Sequence, residues 1–194
     1  MKTQELIDEM IDLTNQNMNK VRTFKALPIE NLIQKQNAES WNVLECIDHL
    51  NRYGDFYIPE IEARIKNSSY GESETFKSGL LGNYFAKSML PKEKLNKMKT
   101  FKSMNPLNCS LTDQKVLDKF INQQEQILEL LEKSKKINLS KVKTSVSISK
   151  WIKLRLGDTF RVVLYHNLRH ILQAERALHM AQINDEPSIN EDTK

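Results

Sequence analysis

Residues 156–176, LGDTFRVVLYHNLRHILQAER, decide how the rest of the chain is read. After Gly157-Asp158, apolar residues recur at Phe160, Val163, Leu164, Leu168 and Ile171, and the pattern runs on through Leu178 to about Met180. Spacings of three and four put such residues on one stripe of an α-helix that faces a core. Inside the stripe stand His166 and His170, four residues apart. On a helix that spacing places both on one face with Cβ atoms about 6 Å apart, so one metal ion can meet both if the face looks inward. The chain has only four histidines. His49 follows a strong helix start and would have to close such a site from a second helix.

Three other stretches carry the same period. The first runs from about Gln4 to Phe24, with Leu6, Ile7, Met10, Ile11 and Leu13 on its stripe. The second opens at Trp41-Asn42-Val43-Leu44-Glu45, where Asn42 can cap the helix and Glu45 can return the bond as in a capping box, with Trp41 placed as a hydrophobic staple. It continues through Ile47, Leu50, Tyr53 and Tyr57, with Gly54 and Pro59 as expected sites of bending. The third is expected to start near Ser110 or Thr112, with Asp113 in its first turn, and carries Leu117, Phe120, Ile121, Ile127, Leu128 and Leu131. No stretch shows sustained strand alternation, so the expected class is all-α, with a four-helix bundle as the simplest architecture. Between the second and third helices lies a long insertion, Ser68 to Asn108, which carries glycines and prolines and a candidate short helix at Gly79 to Lys87. Such an insertion often covers a site or makes an interface.

The 194 residues suit one domain, expected over residues 1–183, with a polar, frayed tail at 184–194. Apolar residues at 39% and charged residues at 28% are those of a globular chain. No apolar run approaches the roughly 20 residues that span a bilayer, and acids interrupt the N-terminal stretch where a secretory signal needs an apolar core. A cytoplasmic protein is expected. Cys46 and Cys109 form no C-x-x-C pair and read as reduced thiols. The net charge of +4 balances 29 basic against 25 acidic side chains, too even for a nucleic-acid footprint. The Lys133–Lys153 stretch is basic, but it lacks interleaved aromatics and reads as a solvated face and loop. Nucleic-acid binding is not expected.

On the residues alone, His166 and His170 are either metal ligands or histidines satisfied by ordinary hydrogen bonds. The zinc-protease pattern His-Glu-x-x-His is excluded, because Asn167 stands where the glutamate would be. His179 has no partner and reads as a structural residue. Cys46 and Tyr53 flank His49 at −3 and +4 and either approach the pocket or pack in the core. Gln173, three residues past His170, can hydrogen-bond a ligand imidazole or cap a backbone group. Arg169 and Arg176 read as solvated or ion-paired, though either could hold an anionic substrate if the helix is tilted into the cleft.

The 156–176 stretch resembles the terminal helix of the DinB-like superfamily, whose members carry H-x-x-x-H followed by a glutamine. Ser40 to Leu50, SWNVLECIDHL, resembles the same family's second-helix signature of a tryptophan, a capping residue and a His-Leu pair. The two motifs stand in the family's order, over 100 residues apart. The resemblance implies an up-down-down-up four-helix bundle, frequently a homodimer, with a divalent metal on His49, His166 and His170. Imidazole suits Zn, Ni, Fe and Mn alike. It further implies a metal-dependent transferase or hydrolase acting on a small-molecule substrate, in which the ion activates water or a low-molecular-weight thiol cosubstrate such as bacillithiol. The alternative is a non-enzymatic, stress-related dimeric binding protein whose metal site is structural or vestigial.

Overall fold

The computed structural model describes residues 1–91, 100–106 and 113–185. It is mostly helical. The long helices are α1 (Thr3–Lys25), α3 (Val43–Lys66), α5 (Lys115–Ser134) and α6 (Leu156–Asp185), with two shorter ones, α2 (Ile29–Ile33) and α4 (Leu80–Met89). α1 lies against α5 and α6, and α3 lies against the same two. The insertion supplies α4, which packs on α6, and a 3₁₀ turn at Lys102–Met104 beside α3.

Local chemistry accounts for the main boundaries. Asn42 accepts the Glu45 N–H at 2.8 Å while Glu45 accepts the Asn42 N–H at 3.0 Å, so the expected capping box starts α3. The helix continues through Pro59, and Gly54 serves a close approach: a Cβ there would collide with the Gln123 carboxamide of α5. Asp113 lies just outside α5 rather than in its first turn, its carboxylate accepting the Lys115 N–H at 2.9 Å. Ser110, Thr112 and Cys109 lie outside the described residues.

Two expectations are corrected. The basic stretch keeps exposed lysines at Lys136, Lys141, Lys143 and Lys153, but from Lys143 on it is an antiparallel hairpin rather than a loop, β1 (Lys143–Val146) with β2 (Ser149–Arg155), so the protein is not purely α. Val146 and Leu154 face the core while Trp151 is 94% exposed. The hairpin carries no Asn-Gly or Gly signal at its turn and its register slips beside Val146, which hides it from a period-2 search. α6 also starts earlier than expected, directly from β2 at Leu156, and extends through Asn184 and Asp185, taking in the first residues of the supposed tail. Residues 186–194 lie outside the described ones. At Gly157 a Cβ would sit 2.5 Å from the Phe76 ring, so the ring's seat at this corner requires glycine.

The core falls into two apolar clusters to which α1, α3, α5 and α6 all contribute. One holds Leu6, Met10, Ile61, Leu131 and Phe160; the other holds Val21, Leu44, Ile47, Phe120 and Ile171. Between them runs a layer of buried polar side chains. Asn17 reaches the Leu164 carbonyl, Asn51 the Val116 carbonyl, Gln123 the Asn51 carbonyl, and Asn167 donates to Gln124 Oε1 at 3.1 Å. Most of the layer's polar groups are paired, as buried ones usually are; the exceptions among the described residues are Asn51 Oδ1 and Gln123 Oε1.

Candidate metal centre

His49 projects from α3 and His166 and His170 from α6, next to this polar layer. One ring nitrogen of each lies within 4.8 Å of the others. His49 is 2% and His166 9% exposed. His49 Nδ1 lies 2.7 Å from the Met104 carbonyl, which can only accept, so the hydrogen is on Nδ1 and Nε2 is an acceptor. That Nε2 faces Nε2 of His166 at 3.3 Å. His170 Nδ1 donates to Gln173 Oε1 at 2.9 Å, which likewise leaves its Nε2 as an acceptor.

Burial is the main force on their charge. It lowers His49 to about 4, against a smaller opposing effect of the Met104 carbonyl, and lowers His170 to about 3, helped by the neighbouring His49. His166 is lowered well below its ordinary range by burial, then by the two other histidines. All three are neutral at physiological pH, the form that binds metals.

Aromatic rings frame the trio. The Trp41 ring lies 4.8 Å from that of His49 and 5.7 Å from that of His170. Tyr53 lies 4.5 Å from His166, and burial pushes its hydroxyl up to about 12, so it stays protonated as a donor. The three histidines line a cleft of about 830 Å³, walled by α3, α6, α4 and the hairpin.

The remaining candidates separate cleanly. Tyr53 and Gln173 belong to the site. Cys46 does not: it is fully buried among apolar residues, and burial raises its thiol far above the usual range. His179 is exposed and remote, beside Thr23 and Phe24. Of the roles open to them, Arg169 is not solvated, being 6% exposed and lining the cleft, and Arg176 is exposed and lines it too. Sequence reading missed the Met104 carbonyl, because a backbone acceptor leaves no signature in residue type. It also missed the cleft walls at Phe85, Met89 and Val146, whose apolar character is indistinguishable from core until the fold brings them there.

Fold and site together define a class: a mostly helical protein that carries three neutral histidines from two helices to one point beside a cleft. The chain belongs to the DinB superfamily, whose profile matches residues 10–174, a span that contains all three histidines. No curated protein and no solved structure matches it.

Proposed function

We propose that His49, His166 and His170 hold a divalent metal ion and that the protein is a metal-dependent transferase or hydrolase acting on a small molecule in the adjoining cleft. The observation that carries this reading is the convergence of three neutral imidazoles at one edge of an open cavity, two of them, His49 and His170, held with Nε2 as the acceptor. One pair of the donor set already has the spacing a tetrahedral ion needs, and the third nitrogen lies within 4.8 Å of both. Two nitrogens each about 2.0–2.1 Å from a zinc ion at the tetrahedral angle lie about 3.3–3.4 Å apart, and Nε2 of His49 and of His166 are 3.3 Å apart. Among the described residues the group has three members, the number that leaves a coordination position open.

When bound, such an ion lowers the pKa of water or of a thiol toward neutrality. The chain supplies the rest. Met104 and Gln173 fix the tautomers and ring orientations of His49 and His170, as outer hydrogen bonds do in metal sites generally. Tyr53 offers a hydroxyl donor beside the trio, and the walls from α4 and the hairpin limit the water around a bound molecule. Nickel, zinc, iron and manganese all suit the donors, and a low-molecular-weight thiol is the proposed cosubstrate of the transferase version.

The proposal extends to the architecture. The arrangement of α1 and α3 against α5 and α6 supports a four-helix bundle, and the family resemblance supports the up-down-down-up order. A homodimer would cover exposed apolar residues such as Leu80 and Trp151. Light scattering is expected to give twice the 22.6 kDa chain mass.

Elemental analysis of the full chain, purified without a tag or chelator, tests the metal site beside His49→Ala. About one equivalent of a divalent metal in the wild type and none in a folded variant is expected. A wild type that stays empty after incubation with zinc, nickel and manganese overturns the proposal.

A further inference from the structure

The cleft changes character along its length. On α6 its lining residues run Val162 and Val163, then His166, then Arg169, His170, Gln173 and Arg176. On α3 they run in the opposite sense: Tyr57 stands at the hairpin end, its hydroxyl accepting from the Ser147 N–H, and Tyr53 stands against His166. At about 1.5 Å per helical residue, Val162 lies about 6 Å from His166 along the axis and Arg176 about 15 Å away on the other side.

Toward Val162 the lining is mainly apolar, with Phe85 and Met89 of α4 and Val146 and Leu154 of the hairpin. The other end is polar and carries Arg176, with Arg169, itself already partnered, behind it; among the described residues one carboxylate, Glu39, lines it. Arg176 makes no hydrogen bond or ion pair among the described residues. Pockets of roughly 300–1,000 Å³ with apolar walls and a few polar groups bury most of a small organic ligand, and the polar groups set its orientation.

We infer that the cleft takes an amphiphilic monocarboxylate, its carboxylate at Arg176, its aromatic or branched aliphatic body between Tyr57, Val162 and Phe85, and the atoms between them against the three histidines. The inference rests on the metal-site proposal only for what happens at the middle of the ligand. Binding at the two ends needs no ion. The axial distances set the size, about 10 Å or more from apolar body to carboxylate.

Trp41 lines the polar side of the cleft and the chain has only two tryptophans, so Trp151→Phe, at a position 94% exposed, leaves Trp41 as the sole reporter. The full chain carrying this change is titrated with 6-phenylhexanoate, 6-phenylhexan-1-ol and 6-phenylhexylamine, once with chelator and once with zinc. Expected is a saturable change in Trp41 emission, with the acid about fivefold or more tighter than the alcohol, the amine weakest, and the acid's advantage lost in Arg176→Gln. No saturable change with any probe, equal affinities, tighter binding of the amine, or an acid preference that survives Arg176→Gln overturns it. Arg176 is exposed, so its replacement leaves the fold intact. Ligand binding in chelator with no metal uptake would sink the metal proposal and leave this one standing.

Discussion

His170 owes its orientation to one side-chain amide. Gln173 accepts from its Nδ1 at 2.9 Å and thereby keeps Nε2 free. Replacing it, Gln173→Leu, is expected to weaken metal binding by about tenfold without unfolding the chain, the usual effect of losing an outer hydrogen bond at a metal site. Competition with a chelator of known affinity measures it, and an unchanged affinity would assign Gln173 to packing alone. The three imidazoles also impose a pH dependence on the ion-free protein. Their folded values are depressed below the ordinary 6.5, to about 4 for His49 and about 3 for His170, so the unfolded chain binds protons that the folded one refuses. This contribution to stability is fully present above about pH 6.5 and falls away from there down toward pH 3. Thermal melts in chelator should show Tm dropping across that window, and His170→Leu should flatten the drop.

The elements are joined by polar fittings whose partners are specific. Asp158, fully buried in the first turn of α6, accepts from the Ser78 hydroxyl and from the Gly79 N–H at 2.8 Å, and pairs with Arg161 at 3.3 Å. It thereby holds the start of α4, and with it the Phe85 wall of the cleft. A Cβ on Gly82 would run into this carboxylate. Gly82→Ala should therefore cost about 1–3 kcal/mol in urea denaturation, and loosening of α4 should appear as faster amide exchange over Leu80–Met89. Between α5 and α6, Asn167 and Gln124 satisfy each other. Gln124→Leu alone strands a buried amide and should cost about 1–3 kcal/mol, whereas Gln124→Leu with Asn167→Leu should recover most of that loss. Additive losses in the double variant would show that the pair is not an isolated unit.

At the scale of the molecule, the two apolar clusters share all four long helices, so they should unfold together. Leu44→Ala and Leu131→Ala, one in each cluster, should each lower a single melting transition by an amount equivalent to about 2–5 kcal/mol; two separate transitions would mean two folding units. Much of this architecture is legible before any coordinates. The stripes of α1, α3, α5 and α6 follow from the three-and-four spacing of their apolar residues, the start of α3 from Asn42 and Glu45, and the pairing of His166 with His170 from the helical repeat. These are local properties, set by neighbours within a turn or two. The hairpin is not legible, because its short strands lack a turn signal and are held by pairing and by burial of Val146 and Leu154 against distant helices. Which of its readings Arg169 takes is not legible either, since a basic residue on an amphipathic helix can be solvated, ion-paired or in a cleft until the partner surface is known. The sequence by itself determined the helices, the polar and apolar faces they present, and which histidines share a face. Only the tertiary structure decided that His49 meets that face, that the Met104 carbonyl aims it, and that α4 and the hairpin wall an open cleft, because these depend on contacts between residues some 50 to 120 positions apart.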